Sequence, residues 1–174
     1  MTPTPATADP AADAWEERDA ALWALLDSLE PEEFLSRMDV LTEELGPAHP
    51  VALFERAAAR DSLGHSDLAV PLYREALRGT LPGERRRRAV IQLSSSLRNL
   101  GKAREGVELL TAERERGQDH LSDALAATLA LCLADAGRER EAVSVAVAAL
   151  APHLPRYQRS MANYARLLVS PEED

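Results

Sequence analysis

The sequence predicts an all-α chain built from stacked antiparallel helix pairs. Three observations carry this. Alanine and leucine dominate an apolar content of 45 %, while aromatic residues are only 4 % of the 174. That leaves few of the residue types from which strands are built. Apolar residues recur at helical spacing in each segment between turn signals. Glycines at 64, 101 and 137 recur at intervals of 37 and 36 residues, and the small residues Ala69, Gly106 and Ala142 repeat those intervals. A short helical hairpin cannot bury its apolar stripe alone, so such a period marks units that stack into one core.

Residues 1–11 have no periodicity and are expected as a disordered arm. A single repeat domain is expected over 12–169. Its leading helix pair covers 12–46. The first helix, 13–29, aligns Trp15, Leu22, Leu25, Leu26 and Leu29, and Glu30-Pro31 ends it because the residue before proline is pushed out of helical geometry. The second aligns Phe34, Leu35, Met38, Leu41 and Leu45 and stops at Gly46-Pro47. Repeat 1 (50–82) holds helices 51–63 and 66–77, with Gly64 as the break and Ser66 as N-cap. Repeat 2 (84–117) breaks at Gly101. Repeat 3 (119–151) breaks at Gly137 and starts from Asp119 as N-cap. A capping helix lies in 155–169. Tyr157, Met161, Tyr164 and Leu168 form its apolar face, and Arg159, Asn163 and Arg166 its wet outer side. Residues 170–174 are a polar tail.

The net charge is −9, and it is unevenly spread: −10 over residues 1–50, +4 over 51–117 and −3 over 118–174. The acidic total argues against nucleic acid as a partner. The run Arg85–Arg88 does not change this, since four consecutive helical residues fan out around the axis and no aromatic residue interleaves them. No segment approaches eighteen consecutive apolar residues, so no membrane contact is expected. A single cysteine, Cys132, fits a reducing compartment, the cytoplasm. It falls beside an apolar stripe, as a buried inert thiol would. The four histidines are isolated, and no CxxC, GxSxG or phosphate-binding glycine loop occurs. No catalytic residue, cofactor or metal is expected.

Gly64, Ala69, Tyr73 and Ala76, with Pro82 at the end, resemble the tetratricopeptide repeat. Leu129, Ala130, Gly137, Ala142 and Ala149 match it again. The middle unit departs, with Gly106 for the alanine and Glu113 where a small residue is expected. The strings ALFERAAARDSLG, AVPLYREAL and IQLSSSLRNLG are similar to a bacterial branch, the tetratricopeptide repeat group 5 domain, over residues 50–150. The resemblance implies a right-handed α-solenoid whose concave groove is lined by the first (A) helix of each pair. It implies partner binding without catalysis.

On the second A helix, Val90, Leu93, Leu97 and Leu100 form one stripe. Arg88, Gln92, Ser95 and Asn99 form the opposite one, flanked by Arg98. The family's geometry turns that second stripe toward the groove. Arg88, Gln92, Ser95, Arg98 and Asn99 are therefore candidate ligand contacts, with Asp61 and Phe54 from the first A helix. The alternative is an ordinary solvated helix face. Arginine forks with amide and hydroxyl groups suit a peptide backbone or a carboxylate. The expected partner is a protein or peptide segment. A second reading is a homodimer or larger homo-oligomer assembled through the terminal helices. Arg56 and Arg60 stand where the repeat carries apolar residues. They either pair with acids of the leading helices, such as Glu43 or Glu44, or snorkel to solvent.

Overall fold

The computed structural model describes residues 10–170. The expected arm and tail lie outside that range except at their inner ends, where Pro10 and Ala11 are already helical. The described residues hold no strand. Their helices are α1 (Pro10–Trp23), α2 (Pro31–Glu43), α3 (Pro50–Ser62), α4 (Ser66–Arg78), α5 (Arg85–Asn99), α6 (Ala103–Arg114), α7 (Ser122–Asp135), α8 (Glu139–Leu150) and α9 (Gln158–Leu167). A 3₁₀ turn, Ala151–His153, precedes the last.

The three predicted breaks are built alike. Gly64, Gly101 and Gly137 hold φ of 85°, 74° and 76°, a region open to residues without a Cβ. The amide after each glycine reaches back five residues: His65 N to Arg60 O at 2.9 Å, Lys102 N to Leu97 O at 2.8 Å and Arg138 N to Leu133 O at 2.9 Å. This is the same helix-ending motif three times, closing carbonyls that the helix leaves open.

Elsewhere the boundaries shift. The first helix ends at Trp23, not 29. Residues 24–29 continue as tighter turns such as Leu26 N to Trp23 O and Ser28 N to Leu25 O. Ser66 is the first residue of α4 rather than its cap, and its Oγ sits 3.5 Å from Asp61 Oδ1. Asp119 lies three residues before α7, where its Oδ1 accepts Leu121 N at 2.8 Å and forms a turn.

Within each pair the helices pack antiparallel: α3 on α4, α5 on α6 and α7 on α8. The first helices also approach closely along the stack, α3 with α5 and α5 with α7, whereas α4, α6 and α8 have no close backbone approach to one another, α4 and α6 being linked by the Arg74–Glu105 ion pair. The stack therefore curves with α3, α5 and α7 on its inner side. One apolar core runs from Trp15 and Phe34 through Phe54 and Tyr73 to Leu97, and a second joins Val90 and Leu110 to Leu129 and Ala142.

Arg56 and Arg60 are paired, as one of the two expectations had it, but with a different acid of α2. Asp39 takes Arg60 Nη2 at 3.0 Å and lies 3.6 Å from Arg56 Nε. Arg56 Nε also donates to buried Thr42 Oγ1 at 2.7 Å. Glu44 is taken by Arg18 instead. The two arginines thus replace apolar packing between repeat 1 and the leading pair with a hydrogen-bonded seam.

Gly106 has a steric reason. A Cβ there would sit 2.9 Å from Cys132 Sγ and 3.1 Å from Ser94 O. Three helices, α5, α6 and α7, meet at this point. Gly106→Ala should therefore destabilise by about 1–3 kcal/mol through overpacking, read by chemical denaturation. Cys132→Ala in the same chain should recover part of that loss. An additive double mutant would show that Sγ is not the obstacle.

Candidate binding groove

The apolar stripe of α5 packs inward. Val90, Leu93 and Leu97 are buried, and Leu100, just past the helix, is exposed. The opposite stripe is left on the inner curve beside α3 and α7. Arg88, Gln92, Ser95 and Arg98 are half-buried there and Asn99 is exposed.

Three of these five are held by neighbours. The Arg88 guanidinium lies 5.2 Å from the Phe54 ring centroid, a cation–π distance, and 3.7 Å from Glu84 Oε1. Arg98 Nε lies 2.7 Å from Asp135 Oδ2 on α7. Asn99 Nδ2 donates to Ser66 Oγ at 3.3 Å. The other two are free. The Gln92 Oε1 atom is buried and accepts no hydrogen bond, and the Ser95 hydroxyl makes none. On α7 the matching face is small and apolar, with Ala127 and Ala134 exposed and Leu131 52 % exposed.

The two candidates from α3 are not part of this open surface. Phe54 is fully buried, 6.2 Å from Tyr73 in the core, and offers a ligand no area. Asp61 is an internal node. It accepts Ser96 Oγ at 2.6 Å and Tyr73 Oη at 3.4 Å, tying α3, α4 and α5 together. Burial pushes its carboxyl above the usual range while those hydroxyls pull it back. Repeat position assigns Asp61 and Phe54 to the groove, but both are engaged by α4 and α5.

The inner face of repeat 1 is closed by α1. Glu55, only 1 % exposed, accepts Trp23 Nε1 at 3.0 Å and Arg85 Nε at 2.8 Å. Arg85 also grips Glu16 through two bonds of 2.8 and 2.6 Å. Asp19 lies 3.8 Å from Arg85 Nη2, and its Oδ1 has no partner. Glu16, Asp19 and Trp23 follow helical spacing on α1, so one side of that helix faces α3 and α5 together. The signal for this was present as an acidic first helix and an unneutralised run of arginines, but neither names its partner. The rest of the run fans out as expected. Arg86 pairs with Glu113 at 3.1 Å, and Arg87 with Asp119 at 2.9 Å and Gly117 O at 2.7 Å. That explains Glu113, the odd residue of the middle repeat: it anchors two of the four arginines.

Among the described residues no group of His, Cys, Asp or Glu could hold a metal ion. Cys132 is buried with its Sγ 3.7 Å from Ser94 O, and burial raises its thiol. No helix among them is long and apolar enough to cross a membrane.

A family model described as the tetratrico peptide repeat matches residues 50–168. The chain belongs to the tetratricopeptide repeat family. The match takes in α3 to α9 and leaves α1 and α2 outside, so the repeat-1 groove is closed by a helix that the family pattern does not include. No curated protein and no solved structure matches the chain.

Asp19 makes the closure depend on pH. Burial raises its carboxyl to about 7, with Glu55 and Glu16 adding to the rise and Arg85 and Arg88 opposing it. The folded state therefore holds a proton that the unfolded chain releases near 3.8, and stability falls as pH rises through that window to about 7. Asp19→Asn should melt higher than the parent by a few degrees at about pH 8, with the gap closing near pH 4. A gap of equal size at both ends would contradict this.

Proposed function

We propose that the chain is a non-catalytic interaction module that holds a peptide or protein segment against the inner faces of α5 and α7. Family membership supports the coarse statement that such a domain binds proteins or peptides. The observation that carries the finer one is Gln92. Its buried carbonyl oxygen has no donor, and a buried unpaired acceptor is costly. With the half-buried Gln92 side chain turned outward, a backbone N–H laid along α5 supplies that donor, with Ser95 beside it and the exposed alanines and Leu131 of α7 as the apolar wall. Arg88 and Arg98 add charge. Arg98 already holds a carboxylate, that of exposed Asp135, and a carboxylate of the guest can take its place without leaving a bare charge. The inner face has no room for such a guest at repeat 1. The module is a protein of the reducing cytoplasm, where the lone buried Cys132 stays a thiol. Nucleic acid is not its partner, because the arginine run is spent on internal acids.

The test is a selection of displayed random peptides on the full chain. Selected peptides should bind with affinity in the range of about 1–100 μM. Ser95→Arg and Leu131→Glu should each weaken them at least about tenfold while the melting curve is unchanged. Peptides that bind the parent and both variants equally would place the working surface elsewhere.

A further inference from the structure

The two ends of the stack are finished differently. At one end α9 buries only Ala165 fully and leaves Tyr157 74 % and Tyr164 59 % exposed, where the expectation was a face of Tyr157, Met161, Tyr164 and Leu168 turned inward. At the other end α1 lies over repeat 1, yet among the helices its backbone comes close to that of α2 alone. Its links to α3 and α5 run through side chains. Trp23 Nε1 donates to Glu55 Oε2 at 3.0 Å, and Arg85 grips Glu16 at 2.8 and 2.6 Å. Helix α2 instead approaches α3 closely, and its Asp39 and Thr42 hold Arg56 and Arg60. Residues 24–29, which leave the regular helix, join α1 to α2.

The charges under α1 are out of balance. Glu16 and Asp19 of α1, Glu55 of α3 and Glu84 before α5 face Arg85 and Arg88. His120 reaches Glu84 from the loop before α7 at 2.7 Å. Asp19 is buried and its Oδ1 has no partner, so an ionised carboxylate there is costly while α1 stays down. Taking α1 away strands no charge on the face beneath. Arg85 keeps Glu55 at 2.8 Å, and Arg88 keeps the Phe54 ring and Glu84. Against lifting stand buried Leu22, the Arg18–Glu44 pair and Trp15, buried with its Nε1 3.0 Å from Leu41 O. These make the closed state the resting one.

We infer that α1 is a strap that lifts off repeat 1 while α2 to α9 stay folded, does so more often as pH rises, and thereby adds the inner face of α3 to the groove. The last part rests on the reading of the inner faces as a peptide site. The sign follows from Asp19. Under the strap it keeps its proton up to about pH 7, and in water it releases it near 3.8. Lifting is therefore favoured progressively between these two values and levels off above them. Arg85, freed of Glu16, then meets a carboxylate of the guest. Such a guest binds only lifted chains, so its apparent affinity scales with the fraction lifted.

Hydrogen exchange of the full chain tests the strap without any guest. Amides of α1 should exchange at least about a hundredfold faster than those of α3, α5 and α7. With the intrinsic pH dependence divided out, their opening constant should rise at least about tenfold from about pH 5 to about pH 7.5 in the parent, and by less than about twofold in Asp19→Asn. Trp23→Phe keeps a ring but loses the bond to Glu55, and should raise opening alike at both pH values. Exchange of α1 in step with the core, or an equal rise in Asp19→Asn, would overturn the strap. The added face is tested at about pH 8 with acidic peptides from the selection on the parent. Peptides that use it should speed exchange of α1 and bind Asp19→Asn at least about tenfold more weakly. Peptides that all bind parent and Asp19→Asn equally would show that α3 stays closed to guests. A selection that yields no peptide would overturn the groove and with it the added face, while the exchange rates still decide the strap.

Discussion

A hairpin of two helices, each of three or four turns, has more apolar surface than it can hide. Every unit of this chain depends on a neighbour for that reason. What makes the neighbours available is the sharp reversal at Gly64, Gly101 and Gly137, each closed by the same hydrogen bond. These reversals set each second helix back against its first and leave the first helices free to touch along the inner curve. Burial of Tyr73, Leu97, Leu110 and Leu129 follows from that arrangement.

Charge is used inside this stack as much as on its surface. Arg56 and Arg60 join repeat 1 to α2 through Asp39. Arg85 joins three helices through Glu16, Asp19 and Glu55. Arg86 joins α5 to Glu113 of α6, and Arg87 joins both to Asp119 in the loop before α7. Buried ion pairs of this kind add little net stability over apolar packing, but breaking one leaves a charge stranded. They therefore fix which helices meet more than how tightly they hold. The acidic leading pair and the basic middle neutralise each other within one chain at these points.

The regular part of the fold was legible because it repeats. Two marks at one period, the glycine and the small residue five places on, located three hairpins and their turns. The orientation of α5 was legible from its two opposite stripes. What could not be read were contacts between segments far apart in sequence. Arg85 and Glu16 are separated by 69 residues, and nothing in either neighbourhood ties them together. Phe54 was misplaced because repeat position does not show what a side chain packs against: its ring turns to Tyr73 of α4 in the core. Tyr157 and Tyr164 follow helical spacing and looked like core. Helix spacing says that residues share a face but not that anything covers it.

The closure of repeat 1 sets a measure for any guest. With that repeat filled, the inner faces left for the proposed guest among the described residues are those of α5 and α7. Packed helices stand about 8–10 Å apart, so the open track is about 20 Å wide. An extended chain advances about 3.3 Å per residue. About six residues then cross the whole track. In the binding mode we propose, a guest of that length has few side chains with which to be recognised, so most of its selectivity would come from one or two apolar residues against α7 and from the charge at one end.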